Sequence, residues 1–433
     1  MSTQQPNPKA FYNAFSDNAM KDVDVHKYYV NRAADNAHDC VANMIQAIDW
    51  ADQAGSYLFS GLRGAGKTTE LQRLISDLHA QNIPAFYSSA DNYLGLNEPD
   101  ISQTELIFAA LAGLCDAVKK QYGTDFLTET IWQRAQKVMN SNVELKPKLG
   151  MSGVEVEFSL QENSSFKDEL VRFSQSNNQF FQEVNGFVNE VVQKIRNETG
   201  QEKIVLVVDS LERLSAPPGQ ERTLYNSLKD LFFNAPERLV LPDMVVIYTV
   251  PPYLHAVLPN IHQYYAESFS LPNFKVMQKP ANGEDRERDQ EGIQGMVEVV
   301  NKRFPEWQNY LSQAIIEHFA WLSGGNVRRM FRLIRHAALK ASLNRVELPV
   351  VKVSSASIEQ AIAEETKDFQ WLNAEDRIWL NRCREDNGKL AEHIQNLEQD
   401  LPPIIRLFDH SLVLDYQNGS LWYQVPPIID GHV

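Results

Sequence analysis

Gly61-Leu62-Arg63-Gly64-Ala65-Gly66-Lys67-Thr68 satisfies G-x-x-x-x-G-K-[ST] at every fixed position, and Thr69 follows it. The glycines let the backbone wrap tightly, so that its N–H groups point at phosphate oxygens. A helix starting at the end of such a loop adds its positive end to the same anion. Lys67 is placed to reach the β and γ phosphates, and the Thr68 hydroxyl to take a position on Mg²⁺. This combination implies binding of a Mg²⁺-complexed purine nucleoside triphosphate, with ATP the expected ligand.

A phosphate loop of this kind needs a carboxylate from a neighbouring strand to hold the metal's water shell. Asp209 ends the apolar run Ile204 to Val208 and is the candidate. Hydrolysis also needs a group that orients or activates water. Glu212, three residues on in DSLER, fits that role, as it would fit a solvated helix start. Thr249 ends the apolar run MVVIYTV, where a hydroxyl can meet a γ-phosphate or simply close a strand. Downstream, SGGNVRRMFRLIRHAA carries Arg328, Arg332 and Arg335 on one helical face by their spacing. That face is either solvated or a phosphate-sensing edge.

Positioning these groups requires a strand before the loop and a helix after it. SYLFSG reads as the strand, and Leu71, Leu74, Ile75 and Leu78 share one helical face. Further strands are expected at 83 to 89, 203 to 209, 244 to 250 and in ESFSLPNF. Helices are expected at 35 to 53, 102 to 121, 165 to 197, 219 to 234 and 252 to 264. Alternating strands and helices imply an α/β fold, a parallel sheet flanked by helices. The pattern gives an extended N-terminal arm (1–34) and a P-loop domain (35–278) with a β-hairpin inserted at about 143–160. A charged linker, KPANGEDRERDQE, opens a helical segment (279–350). A small C-terminal unit (355–433) ends in alternating runs around Asn418-Gly419, a strong hairpin signal.

Composition narrows the class. The chain has 433 residues, 43% of them hydrophobic, enough for two or three cores. Cys40, Cys115 and Cys383 are far apart and follow no metal spacing, as reduced thiols do. The N-terminal residues do not read as a signal peptide, and no run nears the roughly 18 apolar residues of a membrane span. A soluble cytoplasmic chain without membrane partners is expected. The net charge of −15 opposes broad nucleic-acid binding. Residues 366 to 433 hold six basic and eleven acidic residues, a net of −5, so that unit is expected to contact protein rather than DNA. Trp422, Tyr423, Ile404 and Ile405 are its candidate contact residues.

GLRGAGKTTEL, IVLVVDSLERL, VVIYTV and LSGGNVRRMFRLIR, in that order, resemble the AAA+ and STAND-like P-loop ATPases of prokaryotes. The resemblance covers about residues 25 to 433. It implies an AAA+-like ATPase core, a helical lid whose Gly325-Asn326-Val327-Arg328 supplies a sensor arginine, and a C-terminal winged-helix-like domain. Such proteins are ATP-dependent switches or remodelling subunits that assemble with themselves. Relatives act in anti-phage and genetic-conflict systems, transposition and replication initiation. Two departures stand out. Ser210 occupies the position after Asp209 where an acid is usual, which transfers the catalytic role to Glu212. The helix after Thr249 has no arginine, so Arg238 is the substitute finger. The reading is an ATP-binding, slowly hydrolysing switch that works as a homo-oligomer with an effector protein. A DNA-associated AAA+ regulator is the alternative, and a small-molecule P-loop kinase a weaker one.

Overall fold

The computed structural model describes residues 7–16, 25–32, 39–52, 54–95, 98–129, 133–134, 137, 148–149, 155–156, 164–176, 179–217, 219–258, 260–280, 285–385, 390–418 and 420–432. The chain forms two compact units. One gathers Met1–Asp39, Gly61–Glu70 and Leu271–Val433; the other holds Cys40–Ser60 and Leu71–Ser270.

The second of these is built on a five-strand parallel sheet flanked by helices. Its strands are β1 (Gly55–Gly61), β2 (Ala85–Ser89), β3 (Val205–Asp209), β4 (Val245–Val250) and β5 (Glu267–Leu271). Their order is β2-β3-β4-β1-β5. Strands β1, β3 and β4 are buried along their whole length. That burial is why they read as unbroken apolar runs. The parallel register pairs Ser89 with Asp209, Val208 with Tyr248 and Ser60 with Val250. The carboxyl ends of the strands therefore share one edge, where α/β sheets place their ligands.

Helix Gln103–Tyr122 starts with a capping box: the Ser102 hydroxyl accepts from Glu105 N, and the Glu105 carboxylate accepts from Ser102 N. Within the expected helix 165–197, the described residues form helices Ser164–Ser176 and Gln179–Thr199; residues 177–178 lie outside the described residues. The expected helix 252–264 is likewise two short pieces, Tyr253–Val257 and Ile261–Tyr264, with Pro259 between them. Proline lacks the N–H that a continuing helix needs. In the 143–160 segment, Lys148–Leu149 pairs antiparallel with Glu155–Val156; the rest of that expected hairpin lies outside the described residues.

The other unit is mainly helical. Among its described N-terminal residues, two short helices replace the extended conformation expected from composition. Pro8–Ala14 is a helix, with Asn7 accepting from Ala10 N and Pro8 at the first position. Phe11 and Phe15, four apart, form an apolar edge on this short helix. Phe11 stacks on Tyr310 at 4.4 Å, and Phe15 meets Phe331 edge-on at 5.2 Å. Helices Gln290–Arg303, Gln313–Ser323, Val327–Leu343, Ala356–Thr366, Ala374–Glu385 and Leu397–Asp409 follow. Leu414–Asn418 then pairs antiparallel with Ser420–Gln424, the hairpin that Asn418-Gly419 signals.

The proposed contact residues of the C-terminal segment are core residues. Trp422 is 1% exposed and packs on Tyr416 at 4.7 Å, and Ile404, Ile405 and Tyr423 are also buried. A segment this small needs its largest apolar side chains for its own core. Among the described residues, no helix is long and apolar enough to cross a membrane.

Phe11→Ala should lower unfolding stability by about 3 kcal/mol, the usual cost of deleting a buried aromatic ring. Urea denaturation followed by tryptophan fluorescence measures it. An unchanged midpoint would show that the segment adds nothing to the core.

Candidate nucleotide-binding site

The loop Gly61–Thr68 leaves the end of β1 and runs into helix Lys67–Ala80. Gly64 and Gly66 both have positive φ, at 83° and 101°. A side chain at Gly64 would collide with Arg328 Cβ at 2.6 Å and Asn326 Oδ1 at 2.7 Å, and one at Gly66 would come within 2.9 Å of Arg32 Nη2. These two glycines are therefore required by conformation and by close approach together.

Lys67 is 4% exposed, and its ammonium donates to the carbonyls of Gly61 at 2.7 Å and Leu62 at 3.0 Å. The side chain is thus folded back on its own loop. Thr68 and Thr69 are half-buried in the first helical turn. Glu70, in the same turn, is buried with Arg32 Nε 3.6 Å away.

Two further segments clamp the outside of this loop within the same unit. Arg32 donates from Nη2 to Ala65 O at 2.7 Å and from Nη1 to Pro272 O at 2.9 Å, with its guanidinium 4.5 Å from the Phe274 ring centroid. Asn326 donates from Nδ2 to Arg63 O at 2.9 Å while its Oδ1 caps helix Val327–Leu343 by accepting from Arg329 N at 3.1 Å. The SGGN signature is explained by this corner. Gly324 closes helix Gln313–Ser323 in the left-handed region, and Gly325 passes so near Phe274 O that no side chain would fit. Asn326 then starts the next helix. Arg328 is exposed beside the loop, its backbone N 3.4 Å from Gly64 O.

In the sheet unit, Asp209 is fully buried at the end of β3. Its Oδ2 accepts from Tyr87 OH at 2.6 Å and its Oδ1 from Ser210 N at 2.7 Å. Burial and the adjacent carboxylate push the Tyr87 phenol far above its ordinary range, so it stays a donor. Ser210 is left-handed, φ 77°, with its hydroxyl 2.9 Å from that of Ser89. The turn it begins is held by Thr249, whose hydroxyl accepts from Leu211 N at 3.0 Å. Glu212 sits buried on the following Leu211–Arg213 turn, and Arg213 pairs with Asp91 at 2.7 Å. Arg238 is exposed on Pro236–Leu239, with its guanidinium 4.8 Å from the Phe181 ring centroid.

The structure thus groups the loop with Asn326 and Arg328, and separately groups Asp209, Ser210, Glu212 and Thr249. Sequence reasoning missed Arg32 and Asn326 as loop contacts. Asn326 lay inside the quoted lid motif, and its cap position was the available signal; Arg32 carries no local signal. Tyr87 was likewise invisible as the partner of Asp209, because only parallel pairing of β2 with β3 brings them together.

The loop after β1, the acid ending an apolar strand and the parallel sheet flanked by helices give the chain an α/β P-loop fold. No protein-family model matches the sequence, and no curated protein matches it. Similar solved structures include the Aeropyrum pernix ORC2 protein in ADPNP-ADP complexes, at 12% identity and TM-score 0.42, covering 96% of this chain and 93% of that one. A Drosophila ORC chain from a structure bound to DNA has 12% identity and TM-score 0.39, covering 98% and 92%. The Thermotoga maritima RuvB Holliday junction branch migration motor has 13% identity and TM-score 0.34, covering 90% of each chain.

Asp415, on the C-terminal hairpin, accepts from Asn273 Nδ2 at 2.7 Å, and Asn273 Oδ1 in turn lies 3.4 Å from Asn326 Nδ2. Burial raises the Asp415 carboxyl to about 6, against the lowering effects of Asn273 and Lys67. Its folded value therefore lies above its unfolded value. Below the unfolded value both states are protonated, and ionisation disfavours the fold increasingly as pH rises through that window. Stability should fall between about pH 4 and 6 from this group, and Asp415→Asn should flatten that slope. Urea midpoints across the pH range test it; identical profiles would show the carboxyl to be unperturbed.

Proposed function

We propose that this chain is an ATP-binding, ATP-hydrolysing switch of AAA+ type. The observation that carries the reading is the buried Lys67 ammonium set inside a glycine loop whose outer face is held by Asn326 and bordered by Arg328. A buried cation in a concave loop of N–H groups suits a polyphosphate. Mg²⁺ suits the hard oxygen donors of Thr68 and Asp209, and when bound it would neutralise charge on the phosphates. Glu212 is assigned to water activation, and Thr249 to holding the Asp209–Glu212 turn in place. Arg328 reports phosphate to the lid, taken as 279–350. Arg238 is the finger candidate, offered to a neighbouring copy in a homo-oligomer. Residues 355–433 form the winged-helix-like domain, supported by two helices followed by a hairpin.

A second reading, a DNA-associated AAA+ regulator, is raised by one observation. The apolar residues on which an effector-protein contact rested are buried in the core. The net charge of −5 over residues 366 to 433 still opposes phosphate contact. Fluorescence anisotropy of the full chain on a labelled duplex decides between them. Tight binding that falls steeply with salt supports the regulator, and no binding at low salt supports a switch with a protein partner.

Calorimetry with ATP and Mg²⁺ tests the main reading. Lys67→Ala should weaken binding at least about a hundredfold, since a charge-assisted contact inside a buried site is lost. Equal affinity in variant and parent would refute the assignment. Glu212→Gln should leave binding intact and lower turnover about a hundredfold or more, because an amide cannot take the proton. Unchanged turnover would return Glu212 to a structural role.

A further inference from the structure

A cavity of about 590 Å³ lies within the helical unit, between helix Val327–Leu343 and the chain from Glu365 to Leu412. It is separate from the phosphate-cradling residues: of the glycine loop only Arg63 lines it, and neither Lys67 nor Thr68 does. Five arginines and three carboxylates face it. Two of the acids have their own partners. Asp376 takes Arg406 at 2.8 Å, and Asp409 lies 4.0 Å from Arg63.

The remaining acid, Glu365, is shared. Arg332 Nε is 2.9 Å from it and Arg329 Nε 3.7 Å, with His336 at 3.9 Å. One carboxylate, 3% exposed, thus serves two guanidinium groups, and Arg328 adds a third positive charge to the wall. Arg329 is 6% exposed and lines the cavity. Its Nη2 donates to Ser411 O at 3.0 Å, but its Nη1 is buried and has no hydrogen-bond partner among the described residues. Leaving a buried charged donor unsatisfied is costly, and an anion in the cavity would supply the missing acceptor. Phe369, Leu372 and Leu412 provide apolar wall, and Asn373 an amide. Volume and mixed lining are those of a small-molecule site.

We propose that this cavity is a second anion site, which takes a phosphorylated small molecule of about mononucleotide size. Its phosphate lies between Arg329 and Arg332, and its flat apolar part against Phe369 and Leu412. The occupant bridges the lid helix and the C-terminal segment, so it sets how firmly that unit is closed. The site does not depend on the P-loop reading.

The test uses the full chain carrying Lys67→Ala, which weakens anion binding at the glycine loop. Calorimetric titration with inorganic pyrophosphate should show one site. Adding Arg332→Gln, at a side chain 46% exposed and so tolerant of change, should weaken it about tenfold or more. Arg329→Lys should do the same, since it keeps the charge and removes Nη1. Absence of pyrophosphate binding, or equal affinity in both added variants, overturns the site. AMP should bind more tightly than inorganic phosphate to the same chain; equal affinities overturn the apolar half of the proposal.

Discussion

A positive charge buried against backbone carbonyls organises the loop. Lys67 is nearly inaccessible, and its ammonium rests on the carbonyls of Gly61 and Leu62. Two backbone carbonyls thus fix the ammonium's position at the base of the loop. The same constraint fixes the glycines. Side chains at Gly64 and Gly66 would push away Asn326, Arg328 and Arg32, which hold the loop's outer face. The loop's outer surface is thereby used by the protein itself.

That outer clamp ties three distant stretches of chain together. Arg32 comes from the N-terminal segment, Asn326 from the corner between helices Gln313–Ser323 and Val327–Leu343, and Ser411 from the end of the C-terminal helix, its hydroxyl 3.4 Å from Arg63 O. Asn273 and Asp415 extend the network to the hairpin. Because Asn326 caps its helix with one amide atom and grips the loop with the other, the start of helix Val327–Leu343 and the shape of the loop are one event. A displacement of the loop would therefore act directly on the helix that carries Arg328 and Arg329.

In the sheet unit, the departure at Ser210 has a structural meaning. A glutamate after Asp209 would meet a left-handed backbone, which long side chains rarely adopt. The next acid, Glu212, lies on the turn that the Thr249 hydroxyl staples by accepting from Leu211 N. Tyr87 and Ser210 N occupy both oxygens of Asp209, which fixes the carboxylate's orientation.

The sequence alone determined the elements whose signal is local. Motif spacing located the loop, apolar runs located β1, β3 and β4, and Asn418-Gly419 located the hairpin, because steric freedom and periodic burial act over a few residues. The helix Pro8–Ala14 is not legible in composition, since Phe11 and Phe15 look like isolated aromatics until Tyr310 and Phe331 are brought against them. Trp422 and Ile404 looked available for a partner for the same reason: burial belongs to the folded unit, not to the residue. Arg32, Tyr87 and the sharing of Glu365 by two arginines are long-range juxtapositions, and no spacing rule encodes them. Only tertiary structure decides them, because hydrogen bonds and charge pairs depend on which distant strands and helices pack together.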